Sequence, residues 1–311
     1  MRFEILGRTL VADDLPAPLE NQLRRDWFFP EHQAPASDYV VELRLGPVDP
    51  APWQALPPRQ VLAYLQQFEV RAAPDGLFYE DATGRVACRH VPGATRIRLQ
   101  LRDGEVPSSA LETTLSLSIG EAMWCSGLVP LHAAAACLEG QACAFLGPSG
   151  RGKSTTLLRT MLAGWAPVAE DIVWCDPERL LVYGWEREVR LLPASVAVLP
   201  PHLAERDWPI TEDGKVNIPY QSLPGAQVRR GGVPLRRLAV LEREPALPSA
   251  WLPISPRDAA LALWEATGLP IAQQARVHAG QQIGALQTRV ECVRLRLGST
   301  PLPLDTPMPV G

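Results

Sequence analysis

Almost nothing in this chain marks a nucleic-acid-binding, metal-rich, secreted or membrane-spanning protein. Its 311 residues carry 30 Lys and Arg against 34 Asp and Glu, a formal net charge of −4. That balance leaves no basic footprint for DNA or RNA. The six cysteines, Cys88, Cys125, Cys137, Cys143, Cys175 and Cys292, include no C-x-x-C pair. Cys88 and His90 are close together, but no second ligand pair follows them, which argues against a zinc-type site and for free thiols in a reducing compartment. No stretch approaches twenty uncharged apolar residues, so no membrane-spanning helix is expected. The opening "MRFEILGRTLVADD" lacks the basic region and long apolar run of a signal peptide, and a cytoplasmic location is expected. No fixed-period repeat is visible. The nine tryptophans are scattered and read as core and rim, not as a ligand box.

What remains is the composition of a globular chain. Hydrophobic residues make up 46% and charged residues 21%, enough apolar surface for a core and too little charge for disorder. The 32 prolines favour turns and short elements. The N-terminal third alternates like β-structure in "DYVVELRLG", "GLFYEDATGRVACRHV" and "RIRLQLRD". Residues 1–105 are therefore expected to form a smaller β-rich domain, a candidate for binding an acceptor, and 106–311 a larger α/β domain. The second domain opens with a helix over 108–128, in which Ser108 or Ser109 can cap and Glu112 completes a capping box with Ser109. "LHAAAACLEGQACAFLG" reads as strand, Glu139–Gly140 turn, strand. "SPRDAALALWEATG" is a helix capped by Ser255, with Pro256 at its first position and Gly268 after it. A further helix is expected within 270–288, and "VECVRLRLG" as a closing strand.

The second strand of that hairpin runs into Gly147-Pro148-Ser149-Gly150-Arg151-Gly152-Lys153-Ser154, which fits G-x-x-x-x-G-K-[ST]. Such a loop turns successive backbone N–H groups inward around a phosphate chain, and the following helix points its N-terminus at the anion. Lys153 is placed to reach the β- and γ-phosphates, and the Ser154 hydroxyl to ligate Mg²⁺. The context agrees, with an apolar strand before the motif and, after it, a helix whose Leu157, Leu158, Met161 and Leu162 share a face. Gly147, Ser149, Gly150, Arg151, Gly152, Lys153, Ser154 and Thr155 are the candidate nucleotide contacts, and ATP with Mg²⁺ the expected ligands.

A loop of this kind serves many chemistries. A transporter-type ATPase would need an LSGGQ-like signature followed by an apolar strand ending in Asp-Glu, and neither is present. "RLAVLERE" ends in Glu242 without the Asp and reads as an ordinary strand. The base-reading NKxD of a GTPase is absent as well. Shortly after the loop's helix, "AGWAPVAEDIVWCD" brings the adjacent acids Glu170 and Asp171. A carboxylate within reach of an incoming hydroxyl can accept its proton in phosphoryl transfer. Two neighbours on a strand face opposite ways, so one acid is expected at the phosphates and the other elsewhere, unless the strand ends or bulges there.

His132 leading the hairpin, the loop, and the acids after its helix together resemble HPr kinase/phosphorylase and its relatives. The likeness covers about residues 128–245. Within that family the chain is most similar to the divergent HPr-kinase-like proteins found with peptide-modifying systems, including those of lasso peptides. The resemblance implies a mixed-sheet P-loop core and an ATP- and Mg²⁺-dependent kinase whose acceptor is a serine of a peptide or small protein. It implies Glu170 as general base, in a place where the family usually has Asp. Asp171 is the second acid and the alternative base, and His132 helps orient the site. It also implies Glu188, in "REVRLLPAS", with Ser154 and Asp171 as metal ligands, although the glycines of the family's segment are missing. A small-molecule kinase and a nucleotide-binding regulatory module remain alternatives, and a homo-oligomer is allowed. Arg190 is a candidate phosphate contact or a structural salt bridge. Lys215, in "EDGKVNIP", is a candidate γ-phosphate contact or a solvated loop lysine. Arg229 and Arg230, beside Gly231-Gly232, suggest a basic loop able to close over substrate, or a surface turn.

Overall fold

A computed structural model describes residues 2–13, 15–27, 40–49, 51–63, 66–73, 76–81, 86–91, 96–101, 108–211, 213–223, 228 and 231–303. The chain is mixed α/β, with seven α-helices among the described residues. It divides into two compact units, one of residues 1–128 with 269–280 and the other of 129–268 with 281–311. The division expected after residue 105 falls among residues outside those described. So do Arg229 and Arg230, as well as the side chains of Cys88, His90, Ser108 and Ser109.

The first unit contains β1 (Arg2–Ile5), β2 (Arg8–Asp13), α1 (Ala17–Trp27), β3 (Val40–Leu45), α2 (Ala51–Gln54), β4 (Arg59–Ala63), β5 (Gln66–Ala73), β6 (Gly76–Asp81), β7 (Val86–Val91), β8 (Arg96–Leu101) and α3 (Ser108–Cys125). Its eight strands form one sheet in the order β1-β2-β3-β8-β7-β6-β5-β4. The two pairings of β3 are parallel and the rest antiparallel. α1 buries Leu19, Leu23 and Trp27, spaced four apart on one face. α3, expected to open the second domain, instead packs on β6 and β7. Its buried Glu121 accepts hydrogen bonds from the amides of Ile271 (2.8 Å) and Ala272 (2.9 Å), which ties segment 269–280 to this unit.

The second unit begins with the hairpin β9 (Val129–Leu138) and β10 (Gln141–Leu146). Ala133, Ala134, Ala135 and Ala136 are buried without alternation, as in a strand covered on both faces. There follow α4 (Lys153–Leu162), β11 (Ala166–Ala169), β12 (Ile172–Asp176), β13 (Leu181–Tyr183), β14 (Glu188–Leu191), a 3-10 turn (Pro193–Val198), α5 (Pro201–Ala204), β15 (Val216–Pro219), β16 (Val233–Arg243), β17 (Ala250–Pro253), α6 (Pro256–Ala266), α7 (Gln273–Arg289) and β18 (Glu291–Leu297). α7 carries residues of both units. β10 lies between β9, antiparallel, and β16, parallel. β16 continues in parallel to β18, and β17 closes that edge antiparallel. β11 and β12 both pair with β9, β13 joins β12 to the start of β16, and β14 with β15 forms a separate two-stranded sheet. The core between these layers holds Phe145, Leu157, Leu158, Met161, Trp165, Val189, Leu191, Ile218 and Leu241. Leu162, expected on the packed face of α4, is exposed, because that face is completed by Thr156 and Thr160.

One local expectation changes form and another holds. "APVAEDIVWCD" is not one strand: β11 stops at Ala169 and β12 starts at Ile172, with Glu170 and Asp171 in a bend between them. The cap of α6 is as expected, since the Ser255 hydroxyl accepts from the Asp258 amide (3.1 Å).

Gly184, just after β13, fits under β11. A Cβ there would lie 1.7 Å from the Val168 carbonyl oxygen and 2.9 Å from the Ala169 Cβ. Backbone must shift to admit it, so Gly184→Ala is expected to cost about 3 kcal/mol in urea unfolding. A change under about 0.5 kcal/mol would contradict this packing.

Candidate functional site

The glycine-rich turn occupies 147–152, between the end of β10 and the first residue of α4. Gly152 caps α4 in a left-handed conformation (φ 100°, ψ 19°) that side chains disfavour, and this turns the loop into the helix. Lys153, largely buried, folds back over the turn, and its Nζ donates to the carbonyls of Gly147 (2.8 Å) and Pro148 (3.3 Å). Burial lowers its pKa, and the nearby charges of Asp171 and Glu170 oppose that shift without cancelling it. The Thr155 and Ser195 hydroxyls are hydrogen-bonded at 2.9 Å, which links α4 to the 3-10 turn. Ser149, Gly150 and Arg151 are exposed on the turn.

From this turn a connected set of side chains leads to both acids. The Ser154 hydroxyl donates to Glu170 Oε1 (2.5 Å). Arg190, on β14, donates from Nε to Glu170 Oε2 (3.3 Å) and from Nη2 to Asp171 Oδ2 (2.8 Å). His132 Nε2, on β9, lies 3.3 Å from Asp171 Oδ1. Four elements thus converge, and both carboxylates meet one guanidinium. The expectation that adjacent acids diverge holds for a continuous strand. Here the strand is broken at both residues, so the alternation is lost.

The two acids differ sharply in environment. The Glu170 side chain is 4% exposed and that of Asp171 37%. Burial pushes the Glu170 carboxyl up to about 6, against the pull of the Ser154 hydroxyl and Arg190 and with a further push from Asp171 and Glu186. Burial would raise Asp171 too, but the His132 bond, the charges of Arg190 and His132, and Lys215 outweigh it and hold it at about 2. Neighbouring carboxyls driven apart in this way are a recurring mark of functional pairs.

Two residues of the site were not singled out by the sequence reading. Glu186 Oε1 accepts from the amides of Asp171 (3.2 Å) and Ile172 (2.8 Å), and its Oε2 from the Trp185 amide (3.3 Å). Leaving one such buried amide unpaired costs about 1–3 kcal/mol. Asn217 stands opposite Arg190 in the β14–β15 ladder, and its buried Oδ1 has no hydrogen-bond partner among the described residues. No motif spacing announces either one, since both depend on a chain reversal that brings β14 and β15 back to the bend.

Other candidates stand apart. Glu188 shares the outward face of β14 with Arg190 but makes no hydrogen bond or ion pair with Ser154 or Asp171 among the described residues. Of the expected metal trio, Ser154 donates its hydroxyl to Glu170 and Asp171 accepts from Arg190. Among the described residues no group of three or more His, Cys, Asp or Glu side chains is placed to hold a metal. Mg²⁺ does not need one: it keeps several waters and takes one or two carboxylates beside substrate phosphates. The hard oxygens of Ser154, Glu170 and Asp171 fit that requirement. Lys215 pairs with Asp213 (3.0 Å), and its charge is felt at both Asp171 and Lys153.

Among the described residues no helix is long and apolar enough to cross a membrane. In comparisons with known proteins, no protein-family model and no curated protein matches the chain.

The Glu170 carboxyl moves from an ordinary value of 4.5 to about 6 on folding. Between those values the folded chain keeps a proton that the unfolded chain has lost, so stability falls as pH rises through that window, by about 2 kcal/mol. Glu170→Gln is expected to remove the loss. In urea unfolding the variant should be more stable than the parent by about 1–2 kcal/mol at pH 8, with the gap closing near pH 4. A variant less stable than the parent at pH 8 would contradict a carboxylate held against its burial.

Proposed function

We propose that this chain is a phosphotransferase that binds Mg·ATP at residues 147–155 and transfers the γ-phosphoryl group to the hydroxyl of a serine in a peptide or small protein. The observation that carries the reading is the hydrogen bond from Ser154, in the first turn of α4 just past the glycine-rich turn, to Glu170, with Asp171 next to it. A turn suited to a phosphate chain and a pair of carboxylates meet at one place, which is what phosphoryl transfer requires. The order of histidine-led hairpin, loop and acids, similar to that of HPr-kinase-like proteins, supports the same reading.

Lys153 and the backbone amides of the turn grip the phosphates. Ser154 and Glu170 are the residues that hold Mg²⁺, which neutralises charge on the phosphate oxygens when bound. Asp171 is the base. It is the more open of the two acids and stays ionised, and Arg190 and His132 orient it. Asp171 accepts the serine proton as the serine oxygen bonds the γ-phosphorus. The bond from phosphorus to the β,γ-bridging oxygen breaks, and its electron pair leaves on ADP. Lys215 stands within electrostatic reach of the same centre.

The test is incubation with γ-labelled ATP, Mg²⁺ and serine-containing peptides encoded by neighbouring genes, read by mass spectrometry. One added phosphate on a hydroxyl is the expected result. Asp171→Asn should lower transfer at least about 100-fold while ATP still binds. Lys153→Ala should remove binding and transfer together. Steady hydrolysis with no labelled acceptor, untouched by Lys153→Ala, would overturn the proposal.

A further inference from the structure

The bend at 170–171 is what brings two adjacent carboxylates to one guanidinium, and something must hold that bend open. In a strand, successive N–H groups point to opposite sides. Here the amides of Asp171 and Ile172 both point to Glu186 Oε1, at 3.2 and 2.8 Å. The Asp171 carbonyl keeps its place in the sheet by accepting from the Ala133 amide (3.0 Å). One side of the bend is thus pinned to β9 and the other to a single carboxylate. Glu186 Oε2 also accepts from the Trp185 amide (3.3 Å), which fixes the rotation of the carboxylate doing the pinning. Every hydrogen bond the Glu186 side chain makes among the described residues goes to backbone, and its charge is felt at Glu170 and Arg190.

We infer that Glu186 is a positioning residue that shapes the 170–171 bend and thereby places Glu170 and Asp171 for the metal-bound nucleotide. The inference rests on the reading proposed above, because it needs those acids to act on Mg·ATP. A merely structural Glu186 would affect stability and all nucleotide binding alike. A positioning Glu186 affects only the part of ATP affinity that depends on Mg²⁺, because Lys153 and the turn grip phosphate without its help. Partners of metal-holding groups typically alter metal affinity or activity by 10–100-fold when removed.

The experiment measures ATP affinity with Mg²⁺ and with EDTA, by calorimetry, on the full chain and on Glu186→Ala and Glu186→Gln. In the parent chain, Mg²⁺ is expected to tighten ATP binding. Glu186→Ala should lose about tenfold or more of that gain, with affinity in EDTA unchanged. Glu186→Gln keeps an acceptor oxygen for the two amides and should restore the gain to within about threefold. Should the Ala variant not fold, the Gln variant decides. Retention of the gain in it supports the assignment, and its loss with EDTA affinity intact overturns it. An Ala variant that keeps the whole gain, or variants that lose affinity equally with and without Mg²⁺, also overturn it. If the parent chain itself gains nothing from Mg²⁺, the kinase reading fails first and this inference falls with it.

Discussion

The hydrogen bond from the Ser154 hydroxyl to the Glu170 carboxylate joins two parts of the chain with opposite electrostatic demands. One is a turn at a helix start, rich in N–H donors and suited to anions. The other is a bend carrying two adjacent acids. Each would repel what the other attracts, unless a cation stands between them and an anion. Arg190 supplies that cation within the protein, bridging both carboxylates from β14. The energetic cost falls on Glu170, whose carboxyl is buried and shifted upward. Its bonds to Ser154 and Arg190 offset that cost only in part.

The scaffold around this contact consists of rigid pieces. β10 delivers the turn from the middle of a sheet, held by β9 on one side and β16 on the other. α4 follows on a face of Leu157, Leu158 and Met161. The acids sit on a broken strand whose two halves, β11 and β12, both pair with β9. β9 also provides His132, so one strand sets the distance between the hairpin and the acid bend. Gly184, with no side chain, lets β13 pass close to β11 and keeps that break compact.

Much of this was legible in the sequence, and the reason lies in spacing. The motif at 147–154 predicts strand, turn and helix, because each residue type in it answers a local backbone demand. Ser255 and Pro256 announce the start of α6 in the same local way. The broad α/β character and the β-rich N-terminal third could be read from alternation and turn residues. Long-range geometry could not. The bend that carries Glu170 and Asp171 donates two amides to Glu186, sixteen residues beyond Glu170, and no spacing announces that pairing. The grouping of segment 269–280 with the first unit goes with Glu121 of α3 accepting from the amides of residues 271 and 272. Glu188 is a metal candidate by motif, and the strand places it on the same face as Arg190. Acids do not declare in sequence which of them will share a neighbour.

The most direct test of the central claim is a crystal structure of the chain with Mg²⁺ and a non-hydrolysable ATP analogue. The terminal phosphoryl group is expected within hydrogen-bond reach of Lys153, with its metal held by Ser154 and at least one carboxylate of the 170–171 bend. A nucleotide bound away from the turn, or bound there with neither carboxylate near its terminal phosphate or metal, would contradict it.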